Sequence, residues 1–293
     1  MKKYILIFFL FTSQFVLSQQ VDFLKIKKFE LAVLNDSLRE NSGLQFFQNK
    51  LLTINDSGNS ADIFHIDDYS GKILEVFPTG LQNIDWEAIT SDSTNIFIGD
   101  FGNNSGTRKD LKIFKIPFDS VVSSQSATNA QELPYFYPEQ KDFRAKNLNT
   151  DFDAEAMIFL NGKIHIFTKE WASRATSHYI LNPNIFESQK AQKVESFKTD
   201  FVVTDASYFD KKLYLVGYTK KTEVFLSIFN ETKPGIFFEK KPKKYYLGSA
   251  LSIGQIEGIA VNDKGIYISG EAFVTPLGTA KPRLFFIPSQ KLK

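Results

Sequence analysis

Four acidic side chains stand at corresponding places in a diverged repeat, and together they have the chemistry of a cation site. These residues are Glu87, Glu155, Asp205 and Glu257. Each lies next to a run of apolar residues. Carboxylates gathered around one point repel one another unless a cation or hydrogen-bond donors offset the charge. Ca²⁺ prefers oxygen ligands such as carboxylates, amides and carbonyls. The sequence therefore predicts calcium as a cofactor, held by these four residues.

A constant spacing connects these residues to a second polar cluster. In five stretches the second cluster follows the first by thirteen positions: Ser42 to Asn55, Glu87 to Asp100, Glu155 to Thr168, Thr204 to Gly217, and Glu257 to Gly270. A strand of about five residues, a turn of about three and a second strand of about five fill that spacing, so both clusters return to one side. We expect a ligand to be bound there by Asn55, Asp56, Trp86, Asp100, Asn103, Lys169, Trp171, Tyr218 and Glu271.

Two other roles for the acidic residues stay open. They could form a structural ring in which each carboxylate accepts hydrogen bonds from backbone N–H groups of the next repeat. They could also be catalytic, since a carboxylate can act as a general base and Ca²⁺ can polarise a phosphoryl or acyl oxygen. The sequence contains neither G-x-S-x-G nor H-E-x-x-H, so no nucleophile is identified. Zinc is disfavoured, because there is no cysteine and the histidines lie on predicted strands: His65, His165 and His178.

The elements that must position these residues are short apolar strands in a repeat of about 45 to 70 residues, which is typical of a β-propeller. No sustained run has helical periodicity. We predict an all-β, five-bladed β-propeller closed by the N-terminal strand, because the last repeat lacks an outer strand that residues 29–34 can supply. A six-bladed ring is the alternative. It needs a further blade between Ile116 and Thr150, where residues 120–131 are interpreted as a surface loop.

The first eighteen residues have the order of a secretory signal peptide. Lys2 and Lys3 precede an apolar run over residues 4–11, and a small residue stands at Ser18. A membrane anchor is the weaker alternative, because polar residues 12–14 interrupt a run that is too short to span a bilayer. We expect a signal peptide over residues 1–18 and a single propeller domain over residues 19–293. The product would be exported to the periplasm or the medium, with no membrane span after cleavage.

Charge and cysteine content limit the partners. The chain has 35 Lys and Arg against 33 Asp and Glu, and two of its lysines lie in the predicted signal peptide, so the mature protein is near neutral. That balance argues against a nucleic-acid or anionic-membrane surface. Without cysteine, neither a disulfide framework nor a lipid-modified cysteine is possible. We expect a monomer whose partner is a small molecule, a glycan or another protein.

The repeats resemble the SdiA-regulated family of bacterial propellers and, more distantly, NHL-repeat and phytase-like propellers. The similarity is carried by residues 55–59, 85–89, 99–104, 153–157, 168–169 and 257–259. It implies a five-bladed ring with calcium at the axis and no established activity. The fourth repeat departs from the pattern, with Thr204 and Asp205 where the others have Glu. We therefore predict an exported calcium-binding module for a ligand or protein; a calcium-dependent hydrolase, phosphoesterase or lactonase-like, is the alternative.

Overall fold

The structure, a computed structural model, describes residues 20–124, 129–276 and 278–292 of the chain. The predicted signal peptide lies outside the described residues. The described chain forms five sheets of four or five strands, arranged as the blades of a propeller, and one separate two-stranded hairpin. The all-β, five-bladed prediction is therefore confirmed, and the six-bladed alternative is wrong.

The chain begins with β1 (Val21–Phe23) and β2 (Glu30–Val33) and then forms the first two blades. Blade 1 consists of β3 (Asn41–Phe47), β4 (Lys50–Asn55), β5 (Asp62–Ile66) and β6 (Ile73–Pro78). Blade 2 consists of β7 (Trp86–Ser91), β8 (Asn95–Asp100), β9 (Lys112–Pro117) and, after helix α1 (Phe118–Ser124), β10 (Gln131–Phe136).

The other three blades follow the same plan. Blade 3 consists of β11 (Ala154–Leu160), β12 (Lys163–Thr168), β13 (Thr176–Leu181) and, after the short β14 (Gln189–Lys190), β15 (Gln192–Phe197). Blade 4 consists of β16 (Val202–Phe209), β17 (Lys212–Tyr218), β18 (Glu223–Asn230) and β19 (Lys243–Ser249). Helix α2 (Ala250–Ile253) leads to blade 5, which has β20 (Gln255–Val261), β21 (Gly265–Glu271), the hairpin β22 (Phe273–Thr275) and β23 (Gly278–Ala280), and then β24 (Arg283–Pro288).

Three short strands add to blades that are distant in sequence. β2 pairs antiparallel with β24, with Val33 opposite Arg283, and so forms the outermost strand of blade 5. β1 pairs parallel with β19, and β14 pairs parallel with β10. The segment 29–34 thus lies where the sequence places it, while its importance for holding the ring together stays a prediction.

Helix α1 corrects the interpretation of the insertion in blade 2. The sequence predicts a surface loop over residues 120–131, but α1 extends to Ser124 and its side chains Phe118 and Val121 are buried between blades 1 and 2. Phe118 packs edge-on against Phe47, with 4.7 Å between the ring centroids. Residues three apart lie on one face of a helical turn, which is how the insertion gains an apolar anchor.

Short 3-10 helices complete the described elements: Ile26–Phe29, Asp36–Leu38 and Ser289–Lys291. Among the described residues, no helix has the length and apolar character that crossing a bilayer would require.

Apolar side chains fill the spaces between neighbouring blades. In the described part of the chain there are five buried clusters, each built mainly from two adjacent blades. The innermost strands contact one another in a closed ring, in the order β3, β7, β11, β16 and β20. Each sheet therefore has a neighbour on both faces, which explains why its strands carry apolar residues at successive positions.

Every inner hairpin contains a β-bulge at the same place. The pairing of the two inner strands skips one residue per blade: Gly43, Glu87, Glu155, Thr204 and Glu257. The thirteen-residue spacing is confirmed for the last four hairpins. In the first, the equivalent positions are Gly43 and Ile54, so the alignment of Ser42 with Asn55 is wrong by one residue at each end. A bulge redirects the side chains around it, so it decides which residues of a hairpin share a face.

Candidate metal and ligand site

A cavity of about 460 Å³ opens at the end of the ring where the bulges lie. Residues from all five blades line it, including eight that the sequence predicts as site residues: Asp56, Glu87, Glu155, Lys169, Trp171, Tyr218, Glu257 and Glu271. The other lining residues are Ser42, Asn104, Asn147, Leu148 and Gln255. The predicted rim of polar side chains is therefore assembled in large part.

The bulges explain which blades contribute a carboxylate to the cavity. Glu87, Glu155 and Glu257 occupy the bulges of blades 2, 3 and 5. In blade 1 the bulge is Gly43, whose φ of +69° favours glycine and whose Cβ position would lie 3.0 Å from the Ile89 side chain. In blade 4 the bulge is Thr204, whose hydroxyl donates a hydrogen bond to the Ile256 carbonyl at 2.6 Å. Three of the five bulges thus supply an acidic group, and in blade 1 the acidic lining residue is instead Asp56, which follows β4.

Three carboxylates lie together on the side of blades 1 and 2. Asp56, Asp85 and Glu87 each place one oxygen atom within 4.8 Å of the others. Gly102 makes room for them, because a Cβ there would overlap the carboxylate oxygens of Asp85 and Glu87. Burial raises the pKa of all three carboxyl groups, and that of Asp56 rises to about 6. A bound divalent cation would offset the cost of keeping these groups charged.

Glu155 is paired with a lysine of its own hairpin. The Lys169 ammonium donates to Glu155 Oε1, and both side chains are buried. Lys169 Nζ also lies 5.3 Å from the ring centroid of Trp171 and 5.5 Å from that of Tyr218, which are cation–π distances. Burial lowers the pKa of Lys169, but the charge of Glu155 and of further acids raises it by more, so the net pKa is well above its ordinary value. Lys169 thus places a charged ammonium group in the wall of the cavity.

Glu257, the third bulge glutamate, has no ion-pair partner among the described residues. Its Oε1 accepts a hydrogen bond from Gln255 Nε2 at 2.7 Å, and the same nitrogen donates to Glu271 Oε1 at 2.7 Å. Glu257 Oε2 is buried without a hydrogen-bond partner. Burial raises the pKa of Glu257 to about 7. Burial, with the charge of Glu257 added, raises the pKa of Glu271 to about 9.

Asp205, the fourth predicted metal ligand, binds backbone groups and does not line the cavity. Its carboxyl group accepts hydrogen bonds from three N–H groups, those of Leu44 at 3.2 Å, Ala206 at 2.8 Å and Ile259 at 2.7 Å. These residues belong to blades 1, 4 and 5. The register explains the difference, because Thr204 and not Asp205 occupies the bulge that holds Glu in blades 2, 3 and 5. Asp205 therefore has the structural role that the sequence leaves open.

Four predicted ligand residues do not line the cavity: Asn55, Trp86, Asp100 and Asn103. Trp86 is fully buried between blades 1 and 2 and packs against Phe114, with 6.2 Å between the ring centroids. Asn55 uses its amide to donate to the Ser37 carbonyl at 2.8 Å. Both residues hold strand ends in place and are separated from the cavity space.

Asp100 and Asn103 instead support the loop beside the carboxylate cluster. Asp100 Oδ1 accepts the backbone N–H of Asp85 at 3.1 Å and pairs with Arg108 at 3.0 Å. Asn103 Oδ1 accepts the backbone N–H of Arg108 at 2.9 Å. They therefore position Asp85 without contacting the cavity themselves.

Asp85 and Gln255 belong to the site but are not among the residues that the sequence predicts for it. Each precedes a bulge glutamate by two positions, so an acidic or amide residue two before Glu87 or Glu257 was an available signal. Asn147 and Leu148 carried no such signal, because they lie in an irregular segment. That segment reaches the cavity through a backbone hydrogen bond from Leu148 N–H to the Asn104 carbonyl at 3.1 Å.

No protein-family model and no curated protein matches the chain, so membership of the SdiA-regulated family stays a prediction. Among solved structures, the chain is similar to that of a Bacteroides uniformis protein provisionally named a 6-phosphogluconolactonase. The identity is 11% and the TM-score is 0.40, over 88% of this chain and 72% of that one. A similarity of this size gives no information about what the present chain binds.

Proposed function

We propose that the protein is a calcium-binding propeller that receives a ligand in its axial cavity. The observation that carries this proposal is the group of Asp56, Asp85 and Glu87, whose oxygen atoms lie within 4.8 Å of one another. None of the three forms an ion pair with another described residue. Partly or fully buried carboxylates that form no ion pair are costly, and such a cost is typical of a site that is completed by a cation.

The donor set fits a hard cation. All three side chains offer oxygen atoms only, which Ca²⁺ prefers, and the chain has no cysteine to favour a softer metal. The buried, unpaired Glu257 Oε2 in the same cavity is a second sign that positive charge is missing there. When bound, the ion would offset the repulsion of the three carboxylates and could bind an oxygen atom of the ligand.

Thermal and urea unfolding with Ca²⁺ or with a chelator tests the proposal. Ca²⁺ at a hundredfold excess over its dissociation constant should stabilise the protein by about 2.7 kcal/mol. Asp85→Asn should lose most of this gain, because it removes one charged ligand. Asp263→Asn, an exposed aspartate in the turn between β20 and β21, is the matched control and should keep it. A wild-type protein that Ca²⁺ does not stabilise would contradict the proposal.

A calcium-dependent hydrolase is the second candidate, and Glu257 is the observation that favours it. Burial raises the pKa of this carboxyl group to about 7, which suits a general base at neutral pH. A panel of phosphoesters and lactones, assayed with Ca²⁺, would separate the two functions. Turnover by the wild type that Glu257→Gln abolishes supports the hydrolase, and a calcium-stabilised protein that is inert on the whole panel supports the binding module.

Export and family membership are part of the proposal and rest on the sequence. The order of charged, apolar and small residues in 1–18 supports secretion, and the motifs around Glu87, Glu155 and Glu257 support the SdiA-regulated resemblance. Mass spectrometry of periplasmic or secreted material should find a new N-terminus near Gln19. Intact Met1 on a membrane-embedded product would contradict export.

A further inference from the structure

Blades 3 and 5 present the same hairpin geometry with opposite charge. In blade 3 the bulge is Glu155, and Lys169 directly follows the partner position Thr168. In blade 5 the bulge is Glu257, and Glu271 directly follows the partner position Gly270. Lys169 and Glu271 therefore occupy equivalent places, one beside each bulge glutamate. Blade 3 carries its own ammonium group, whereas blade 5 carries a second carboxyl group.

In the carboxyl pair of blade 5, Glu257 is buried and incompletely hydrogen-bonded, and Glu271 is partly buried. Glu257 is only 6% exposed, and its Oε2 has no hydrogen-bond partner although the residue lines the cavity. Gln255 Nε2 donates to Oε1 of Glu257 and to Oε1 of Glu271, and among the described residues no donor reaches the buried Oε2 of Glu257. An unpaired buried carboxylate destabilises the folded state, so the pair favours a ligand that brings donors and positive charge.

The charged residues that line the cavity also favour a cationic ligand group. Lys169 pairs with Glu155, and the proposed Ca²⁺ takes Asp56, Asp85 and Glu87. Glu257 and Glu271 are then the acidic lining residues without a cation partner in the described structure. A cationic ligand group would favour the deprotonated form of both carboxyl groups, whereas an anionic group would gain no partner from the pair. A second divalent ion is less suitable, because no third His, Cys, Asp or Glu completes a ligand group there among the described residues.

We propose that the Glu257–Glu271 pair binds a primary ammonium group of the ligand, which takes the place that Lys169 has in blade 3. An ammonium group offers three donors and one charge, so it can donate to Glu257 Oε2 and to the Glu271 carboxyl group at once. The pair lines the cavity of about 460 Å³, which has room for the alkyl chain that carries the amine. This inference deepens the proposed function, since it specifies the ligand class of the same cavity.

Binding of n-butylammonium, with n-butanol as the neutral control, tests the inference by calorimetry in the presence of Ca²⁺. The wild type should bind the amine saturably and the alcohol not at all. Glu257→Gln, which keeps the shape of the side chain, should weaken amine binding about tenfold to a hundredfold, because a charge-assisted hydrogen bond is lost. Asp263→Asn, the exposed aspartate in the turn between β20 and β21, is the control and should keep the wild-type affinity for the amine.

A charge swap gives the sharpest variant. Glu271→Lys places an ammonium group at the position equivalent to Lys169, so it should raise the melting temperature and abolish n-butylammonium binding. Equal binding of amine and alcohol by the wild type, or unchanged amine binding by Glu257→Gln, would overturn the inference. A wild type that binds the amine but is not stabilised by Ca²⁺ would instead overturn the proposed metal site alone, so the two failures are distinguishable.

Discussion

The two ends of the ring of inner strands differ in charge and size. The bulged end opens into the cavity of about 460 Å³ with its buried carboxylates. The opposite end has a cavity of about 120 Å³ lined by neutral side chains: Gln45, Phe46, Thr90, Ser91, Ile158, Phe159, Ser207, Tyr208, Ala260 and Val261. There Thr90 Oγ1 accepts the Phe159 N–H at 3.1 Å, and Ser207 Oγ accepts the Val261 N–H at 3.1 Å.

The neutral end is built for stability, whereas the bulged end is not. At the neutral end, polar groups of one blade satisfy backbone groups of the next, and the inner hairpins pair there without a register shift. At the bulged end, several carboxyl groups share a small buried space, which is costly for the folded state. Such a cost at one end of otherwise regular strands is typical of a binding or catalytic site. The two ends can therefore be changed independently.

The largest loss of stability should come from the carboxyl group that joins three blades. Asp205→Ala leaves three buried backbone N–H groups without an acceptor, so the free energy of unfolding should fall by about 4 kcal/mol. Urea unfolding in the presence of chelator measures it, and Asp263→Ala is the exposed control. A loss below about 1 kcal/mol would show that the N–H groups find other acceptors.

The pH dependence of the free energy of unfolding should show how much the carboxyl groups of the bulged end destabilise the fold. Burial raises the pKa of Asp56 from 3.8 to about 6 in the folded state, so the folded protein binds more protons than the unfolded chain between these values. Without Ca²⁺, stability should therefore decrease as the pH rises from about 4 to 6, by about 3 kcal/mol from Asp56.

Ca²⁺ should offset this loss, because it binds the deprotonated carboxylates. Unfolding measured from pH 4 to 9, with Ca²⁺ and with chelator, checks both statements. Asp56→Asn should remove the part of the pH dependence that Asp56 contributes. A metal-free protein whose stability rises with pH over the same window would contradict the assignment.

Much of the fold could be predicted from the sequence, because strand and turn signals are local. Asn161 and Gly162 lie in the turn between β11 and β12, as the hairpin signal indicates, with φ of 51° and 72°. The sequence does not predict helix α1, because its seven residues are too few for a helical periodicity to be recognised.

The site could be predicted only in part, because a β-bulge is not visible in residue types. Spacing alone places a residue within about one position, and one position reverses the face of a strand. That single step separates Thr204, which occupies the bulge, from Asp205, which joins the blades. For the same reason, residue types alone do not show that Trp86 faces the core while Glu87 faces the cavity.

A smaller and more selective effect is expected at Gly102. In Gly102→Ala the added methyl group would occupy the space of the Asp85 and Glu87 carboxylates and push these flexible side chains apart. Ca²⁺ affinity should fall about tenfold, which corresponds to about 1.4 kcal/mol. Unfolding in chelator should change little, since the displaced groups repel one another. An unchanged calcium affinity would show that the ion does not depend on this close approach.

The smallest effect should come from the neutral end. Thr90→Val keeps the shape and the strand preference of the side chain but removes the acceptor of the Phe159 N–H. The free energy of unfolding should fall by about 1 kcal/mol, the cost of one unpaired buried donor. The stabilisation by Ca²⁺ should be the same as in the wild type, because Thr90 lies at the far end of its strand from Glu87. Urea unfolding with and without Ca²⁺ measures both quantities. A variant that also loses the calcium response would show that the two ends are coupled through the inner strands, and the separation between a neutral closing end and an acidic binding end would then be wrong.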